Sequence, residues 1–351
     1  MAERYRKHVY CEKKFLEHCI KTIAEWKFCE ENFEELRLWM CIKTLIFSQD
    51  IVLHLDITDD DLPPTYGVKP KKEFSVWAKE LAKMQSEQKI HLKLGDFVTP
   101  NTINKSDNKQ LTAYYLTCCD SETCQKCMEE CGVLAICPEN IKDFKSILYD
   151  NGMAIGEKEF TDWKKSLKYS PCYCNSLILV DNYISNNEMD INNLKSIFDI
   201  MLPQQISLDV PFQISVFTTL QSGYGRKAID FNTMLYFKNI ANMIEELRPN
   251  LYFKMAIFKC SSDKFHDRII ITNNIYISCG GGFDSIKDGK SAKNTTLNCV
   301  FPFFCKSSKW DSLAYSNFVN SIRANYSATE FNGNDNTRGF FIGDKQNRLI
   351  T

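Results

Sequence analysis

The stretch Lys264–Asp284, KFHDRIIITNNIYISCGGGFD, decides how the second half of this chain is read. Its centre is two apolar runs, Arg268 to Thr272 and Ile275 to Cys279, around Asn273-Asn274, a pattern that predicts a hairpin. His266 and Arg268 stand two apart at the start of the first run, so strand alternation turns both side chains to one face. A guanidinium clamps two oxygens of a phosphate, and an imidazole attacks phosphorus or carries a proton, so the pair suits phosphoryl chemistry. Asn273 follows Arg268 after four intervening residues. Gly280, Gly281 and Gly282 begin after six more, where they let backbone approach a ligand closely. The plainer alternative makes His266 a strand-edge residue bonded to Asp267 or the backbone, and puts Arg268 in a structural salt bridge. The glycines are then a bend, and Asp284 caps the segment that follows.

Outward from this stretch the pattern is regular. Leu177 to Val180 predicts a buried strand closed by Asp181-Asn182, and Asp190 is placed to cap a helix carrying Leu194, Ile197, Phe198 and Met201. Phe212 to Phe217 predicts a strand. The loop QSGYGRK leads into a helix with the stripe Ile240, Met243, Ile244 and Leu247, which Pro249 stops. Leu251 to Phe258 predicts another strand. Val300 to Phe304 and Trp310 to Ile322 add a strand and a last helix, and the Asn/Gly-rich tail from Ser327 is expected to run over the surface. Strands alternating with helices of this length indicate an α/β sandwich. Arg226 and Lys227 in the glycine-containing loop and Lys254 within a strand are further phosphate-ligand candidates; a solvated loop is the default for the first two, and parity alone does not orient the third.

The spacing of His266, Arg268, Asn273 and the glycines resembles the phospholipase D superfamily motif, a histidine and a lysine two apart, an aspartate after four residues and small residues after six more. Arg268 stands for the lysine and Asn273 for the aspartate. The segment is still more similar to the phospholipase D-like domain at the C-terminus of microtubule-interacting-and-transport proteins and of bacterial relatives, on His266, Asp267, Arg268, Ile270, Asn273, Ile277, Gly280, Gly282, Phe283 and Asp284. The resemblance spans Ser176 to about Tyr326. It implies a phospholipase D-like α/β sandwich over 171–326, with 1–170 a mixed, helix-rich α+β domain and 327–351 a surface-lying tail. It assigns catalytic positions to His266, Arg268, Asn273 and Asp284, and ligand contact to Gly280, Gly281 and Gly282. Superfamily enzymes pair two such motifs. The other histidines, at 8, 18, 54 and 91, lie in none, so catalysis requires a homodimer pairing two copies of His266. The implied function is a phosphodiester-engaging effector, a nuclease acting on DNA or RNA in bacterial anti-phage defence or nucleic-acid processing, within a homodimer or with a defence-complex partner protein. The alternative is a noncatalytic scaffold that recognises a protein, a nucleic acid or a phosphoinositide.

The first half is less legible. Leu16, Cys19, Ile20 and Ile23 are spaced as a helix face, and Leu36 to Phe47 predicts a second helix. Ile51 to Asp56 predicts a strand, followed by the acidic turn Asp59 to Asp61. Phe74, Trp77, Leu81 and Met84 mark a helix; Ile90 to Leu94 and Leu111 to Leu116 predict strands; Ser121 to Cys131 and Glu157 to Leu167 predict helices. Trp26 and Trp39 offer aromatic surface either for a partner or for this region's own core. The chain has 43 basic and 44 acidic residues, a net charge of −1, which excludes a global polyanion-attracting field and leaves only local patches. No apolar leader follows the first residues and no run reaches membrane-spanning length, so a soluble cytoplasmic protein is expected. Its 16 cysteines then read as reduced thiols. Cys119, Cys124, Cys127, Cys172 and Cys174 are the weak candidates for a structural zinc, set against helix-face packing at i, i+3, i+7; no other cofactor is implied.

Overall fold

A computed structural model describes residues 5–26, 33–64, 73–95, 97–145, 153–155, 162–167, 173–181, 188–218, 232–259, 268–280, 282–283, 286–287, 290–291, 297–304, 309–327, 339–343 and 347–350. The chain is of α/β class and divides into two units. The first takes 1–128, 133–151 and 302–316; the second takes 129–132, 152–301 and 317–351. The units interleave along the chain: residues 129–132 already belong to the second, and its long segment starts at Gly152.

The first unit is built on five short parallel strands, β1 (Lys7–Cys11), β2 (Ile51–Leu55), β3 (His91–Leu94), β4 (Tyr114–Leu116) and β5 (Leu134–Ile136), in the order β3-β2-β1-β4-β5. Parallel neighbours need crossover connections, and the chain supplies α1 (Lys13–Glu25) with α2 (Phe33–Ile46), then α3 (Val76–Ser86), α4 (Asn108–Leu111) and α5 (Ser121–Cys131). Val9, Cys11, Leu53, Leu55, Tyr114 and Leu116 alternate onto one face of the sheet and are fully buried. Phe15, Leu16 and Cys19 of α1 and Leu38, Trp39, Ile42 and Leu45 of α2 are buried too, and the Phe15 and Trp39 rings meet at 5.7 Å. The helix-rich α+β expectation for this half is thus corrected to helices alternating with a parallel sheet. Residues Asp59–Asp61 form a single 3-10 turn, in which the Asp61 carboxylate closes a capping box on Thr58 and takes a 3.0 Å ion pair from Lys13.

The second unit carries an eight-stranded mixed sheet. Its strands are β6 (Met153–Ile155), β7 (Ser176–Val180), β8 (Phe212–Thr218), β9 (Phe253–Lys259), β10 (Ile269–Thr272) and β11 (Tyr276–Cys279), then, past the separate ribbon β12 (Ile286–Lys287) and β13 (Lys290–Ser291), β14 (Leu297–Val300) and β15 (Gly339–Ile342). The order is β15-β9-β8-β7-β10-β11-β14-β6, with β7, β8 and β9 parallel and every other pairing antiparallel. Helices α6 (Trp163–Ser166), α7 (Glu188–Met201) and α8 (Asn232–Leu247) fall between strands, and α9 (Lys309–Ser327) divides between the two units after residue 316. Leu194, Ile197, Phe198 and Met201 of α7 and Ile240, Met243 and Ile244 of α8 are buried, as their spacing predicts. Asp190 lies inside α7, which begins two residues earlier, rather than capping it. The strand expected at Val300 to Phe304 runs instead over Leu297–Val300 and ends before Pro302, which has no N–H for a ladder.

In the tail, Gly339–Ile342 pairs antiparallel with β9 and completes the sheet at that edge. Beyond it Asn347 is fully buried: its Oδ1 accepts from Ser176 Oγ at 2.7 Å, and its Nδ2 donates to the Leu177 and Gln213 carbonyls at 3.2 and 3.4 Å. Arg348, 4% exposed, donates to the carbonyls of Asn175 (2.7 Å) and Pro211 (3.1 Å). Burial pulls its guanidinium down to about 10.

Candidate functional site

Strand order reverses between β7 and β10: the chain runs outward through β8 and β9 and then returns to the other side of β7. In open α/β sheets ligands bind outside the carboxyl ends of the parallel strands where strand order reverses; here the strand beside β7 at the reversal, β10, runs antiparallel to it. The registers Ile269↔Val180 and Ile269↔Ser278 put the start of β10 and the end of β11 at that end of β7.

Arg268 stands there, half-buried, and its Nη1 donates to the Gly280 carbonyl at 2.8 Å. Its own carbonyl accepts from Cys279 N at 3.0 Å, so the hairpin stays zipped up to the glycines. Gly282 has φ +95, a conformation that favours glycine, and its N–H returns to the Cys279 carbonyl at 3.3 Å. The next residue is anchored: Phe283 N donates at 2.9 Å to Oδ2 of Asp181, a carboxylate 1% exposed at the end of β7. Asp181 N in turn donates to the Phe217 carbonyl at 3.0 Å. Sequence reasoning assigns Asp181 only the closing of a strand; a carboxylate directly after an all-apolar strand run is the signal that could have found it. An arginine, a glycine turn and a buried carboxylate thus gather at one sheet end. His266, Gly281, Asp284, Arg226 and Lys227 lie outside the described residues.

Two sequence candidates are not part of this cluster. Asn273 follows β10 at its other end, about 16 Å away for five residues of strand. It is fully buried, accepting from Asn175 N at 3.1 Å through Oδ1 and donating to the Gly132 carbonyl at 2.9 Å through Nδ2. Asn175 makes the parallel tie to the Cys131 carbonyl. Gly132, at φ +62, has no room for a side chain, since a Cβ there would come 2.5 Å from the Cys174 carbonyl oxygen. Lys254 pairs in register with Gln213, and Gln213 with Ser176, which puts it at the amino ends of the parallel strands, with its side chain against Gly343.

Among the described residues no group of three His, Cys, Asp or Glu side chains converges as metal ligands. Cys119, Cys124 and Cys127 belong to the first unit and Cys174 to the second; Cys172 lies outside the described residues. Burial pushes the Cys124 thiol up, with the neighbouring Cys137 adding to the shift, which opposes the thiolate a metal requires. Among the described residues no helix is long and apolar enough to cross a membrane.

No protein-family profile and no curated protein matches this chain. Among solved structures, the archaeal chromatin protein TrmBL2, described as showing a novel mode of DNA binding, aligns at 11% identity and a TM-score of 0.24. The alignment covers 53% of this chain and 59% of that one, and at that score it carries no weight for fold or function.

Proposed function

We propose that the second unit is a phospholipase D-like domain that engages a phosphodiester at the carboxyl end of β7, with Arg268 holding the phosphate and His266 beside it in sequence as the reacting group. The observation that carries this reading is the half-buried Arg268 bonded to the Gly280 carbonyl where strand order reverses. A planar guanidinium presents several donors in a fork suited to phosphate, and Nη1 is the one that here meets Gly280. The substrate class is DNA or RNA. Because His266 is the chain's single motif histidine, cleavage requires two copies of the chain, one imidazole attacking phosphorus and the other protonating the leaving oxygen. A place in anti-phage defence rests on the family resemblance alone.

A second reading, binding without hydrolysis, is favoured by Asn273. The family motif has a carboxylate at that position, whereas here an amide spends both polar atoms on backbone at the far end of the strand. The two readings separate in a cleavage assay with single-stranded DNA and RNA oligonucleotides in excess chelator. Phosphoenzyme chemistry needs no divalent metal, so wild-type cleavage that disappears in His266→Ala is the expected result. Cleavage untouched by that substitution excludes the histidine mechanism; binding without cleavage in both proteins leaves the scaffold reading standing.

A further inference from the structure

Strands of a parallel sheet are covered on both faces and ordinarily read as apolar throughout, yet one face of the first unit's sheet does not. Alternation and the registers His8↔Val52↔His91 and Tyr10↔His54↔Lys93 put three histidines, a lysine and Tyr10 together, with Tyr115 opposite Tyr10 on the other side. The cluster is ordered. His8 Nδ1 and His54 Nε2 are 2.9 Å apart, the Tyr10 ring stacks on His54 at 4.3 Å and on Tyr115 at 5.3 Å, and Phe97 meets Tyr10 edge-on at 6.2 Å. The segment after β3 lies over this face, as Phe97 and the Tyr115 Oη bond to the Gln110 carbonyl show.

The groups acting on His8 are cationic: His54, Lys109 and Lys93, with Lys7 from the other face of the sheet. Lys93 and Lys109 are exposed, and neither forms an ion pair among the described residues. His8 is half-buried with Nδ1 committed to His54 at 2.9 Å, which leaves Nε2 as the ring's other hydrogen-bonding atom. Polar side chains at positions that packing reserves for apolar ones mark places where folding preference yields to function.

We propose that this face of β1–β3 is a binding site for a small phosphate-type oxyanion, with His8 Nε2 as the hydrogen-bonding group and Lys93 and Lys109 as the neutralising charges. The Tyr10–His54 stack orients the His8 ring from behind. The site is separate from the one at Arg268.

The test uses the full chain carrying Arg268→Ala, so that phosphate bound at the other site does not contribute. Imidazole NMR signals are followed while inorganic phosphate, and then adenosine monophosphate, is added to about 20 mM, the range in which a few charge-assisted hydrogen bonds saturate. The expected result is a saturable shift of the His8 signal with one or both anions. Affinity is expected to fall roughly tenfold or more in Lys93→Gln/Lys109→Gln, and to be kept in Lys93→Arg/Lys109→Arg. Both lysines are exposed, so the variants fold. A His8 signal that neither anion moves overturns the proposal, and so does a glutamine variant that binds as tightly as its parent. A tighter shift with the nucleotide assigns the oxyanion to a phosphate ester, and equal shifts assign it to free phosphate.

Discussion

Asn273 shows how one residue type reports its surroundings. Its Oδ1 takes an N–H and its Nδ2 gives one to the Gly132 carbonyl, so only an amide serves both partners. Asn273→Asp is expected to destabilise the fold, because a carboxylate set against the Gly132 carbonyl has nothing to donate. Leaving a buried acceptor unmatched costs about 1–3 kcal/mol, and a thermal melt several degrees lower is the expected reading; an unchanged melt contradicts the assignment. The motif spacing pointed to Asn273 but not to its partners, since Gly132 and Asn175 are remote in the chain and nothing in the motif points to them. His8 carries a second expectation. Burial first, then its cationic neighbours, lowers its pKa from 6.5 to about 3. The folded state therefore favours neutral imidazole. That stability is complete above pH 6.5 and is lost as pH falls from 6.5 toward 3, by up to about 2 kcal/mol at pH 5. Melting temperatures at pH 7.5 and pH 5 in low phosphate should show this loss, and His8→Gln should reduce it; equal pH slopes for the two proteins would disprove it.

Elements with a sustained 3.6-residue period were legible: α1, α3, α5, α7 and α8 lie where their apolar faces put them, and the β10–β11 hairpin closes around Asn273-Asn274 as read. The missed elements are short: several strands, and the four-residue helix α4. β5 and β6 have three residues each, too few for alternation to register, and β1 begins Lys7-His8, whose polarity hides a strand with an unusual inner face. β15 sits in an Asn/Gly-rich tail that composition assigns to loop, but pairing with β9 decides its state. Deleting residues 339–351 would leave β9 as an open edge and remove the Asn347 contact to Ser176 Oγ, the Arg348 N–H to Gln213 Oε1 and the Arg348 guanidinium from the Asn175 carbonyl. The expected outcome is a protein that is insoluble or melts at least about 10 °C lower, more than any single hydrogen bond accounts for. A truncated chain that melts like the full one would show the tail to be dispensable.

At the scale of the molecule, the two units interleave: residues 129–132 and 302–316 are each separated in sequence from most of their own unit. Composition does not change at such crossings, which is why a contiguous boundary was the natural expectation. The sheet's reversal point, which brings Asp181, Arg268 and the Gly280–Phe283 turn together, was likewise hidden, because motif spacing carries no information about which strand lies next to β10. The near-neutral net charge means that any phosphodiester must be held by a local cation, and Arg268 is a cation that this fold sets at the start of β10, at the carboxyl end of β7. The most direct measurement is the affinity of the full chain for a fluorescent single-stranded oligonucleotide, taken across a series of salt concentrations for wild type, Arg268→Lys and Arg268→Ala. If Arg268 holds a phosphate, the alanine variant binds more weakly, with lysine between the two. Its log–log salt slope is also shallower, by about 0.7 for each phosphate that the variant no longer neutralises. Identical affinities and slopes for wild type and the alanine variant would contradict a phosphate held at Arg268.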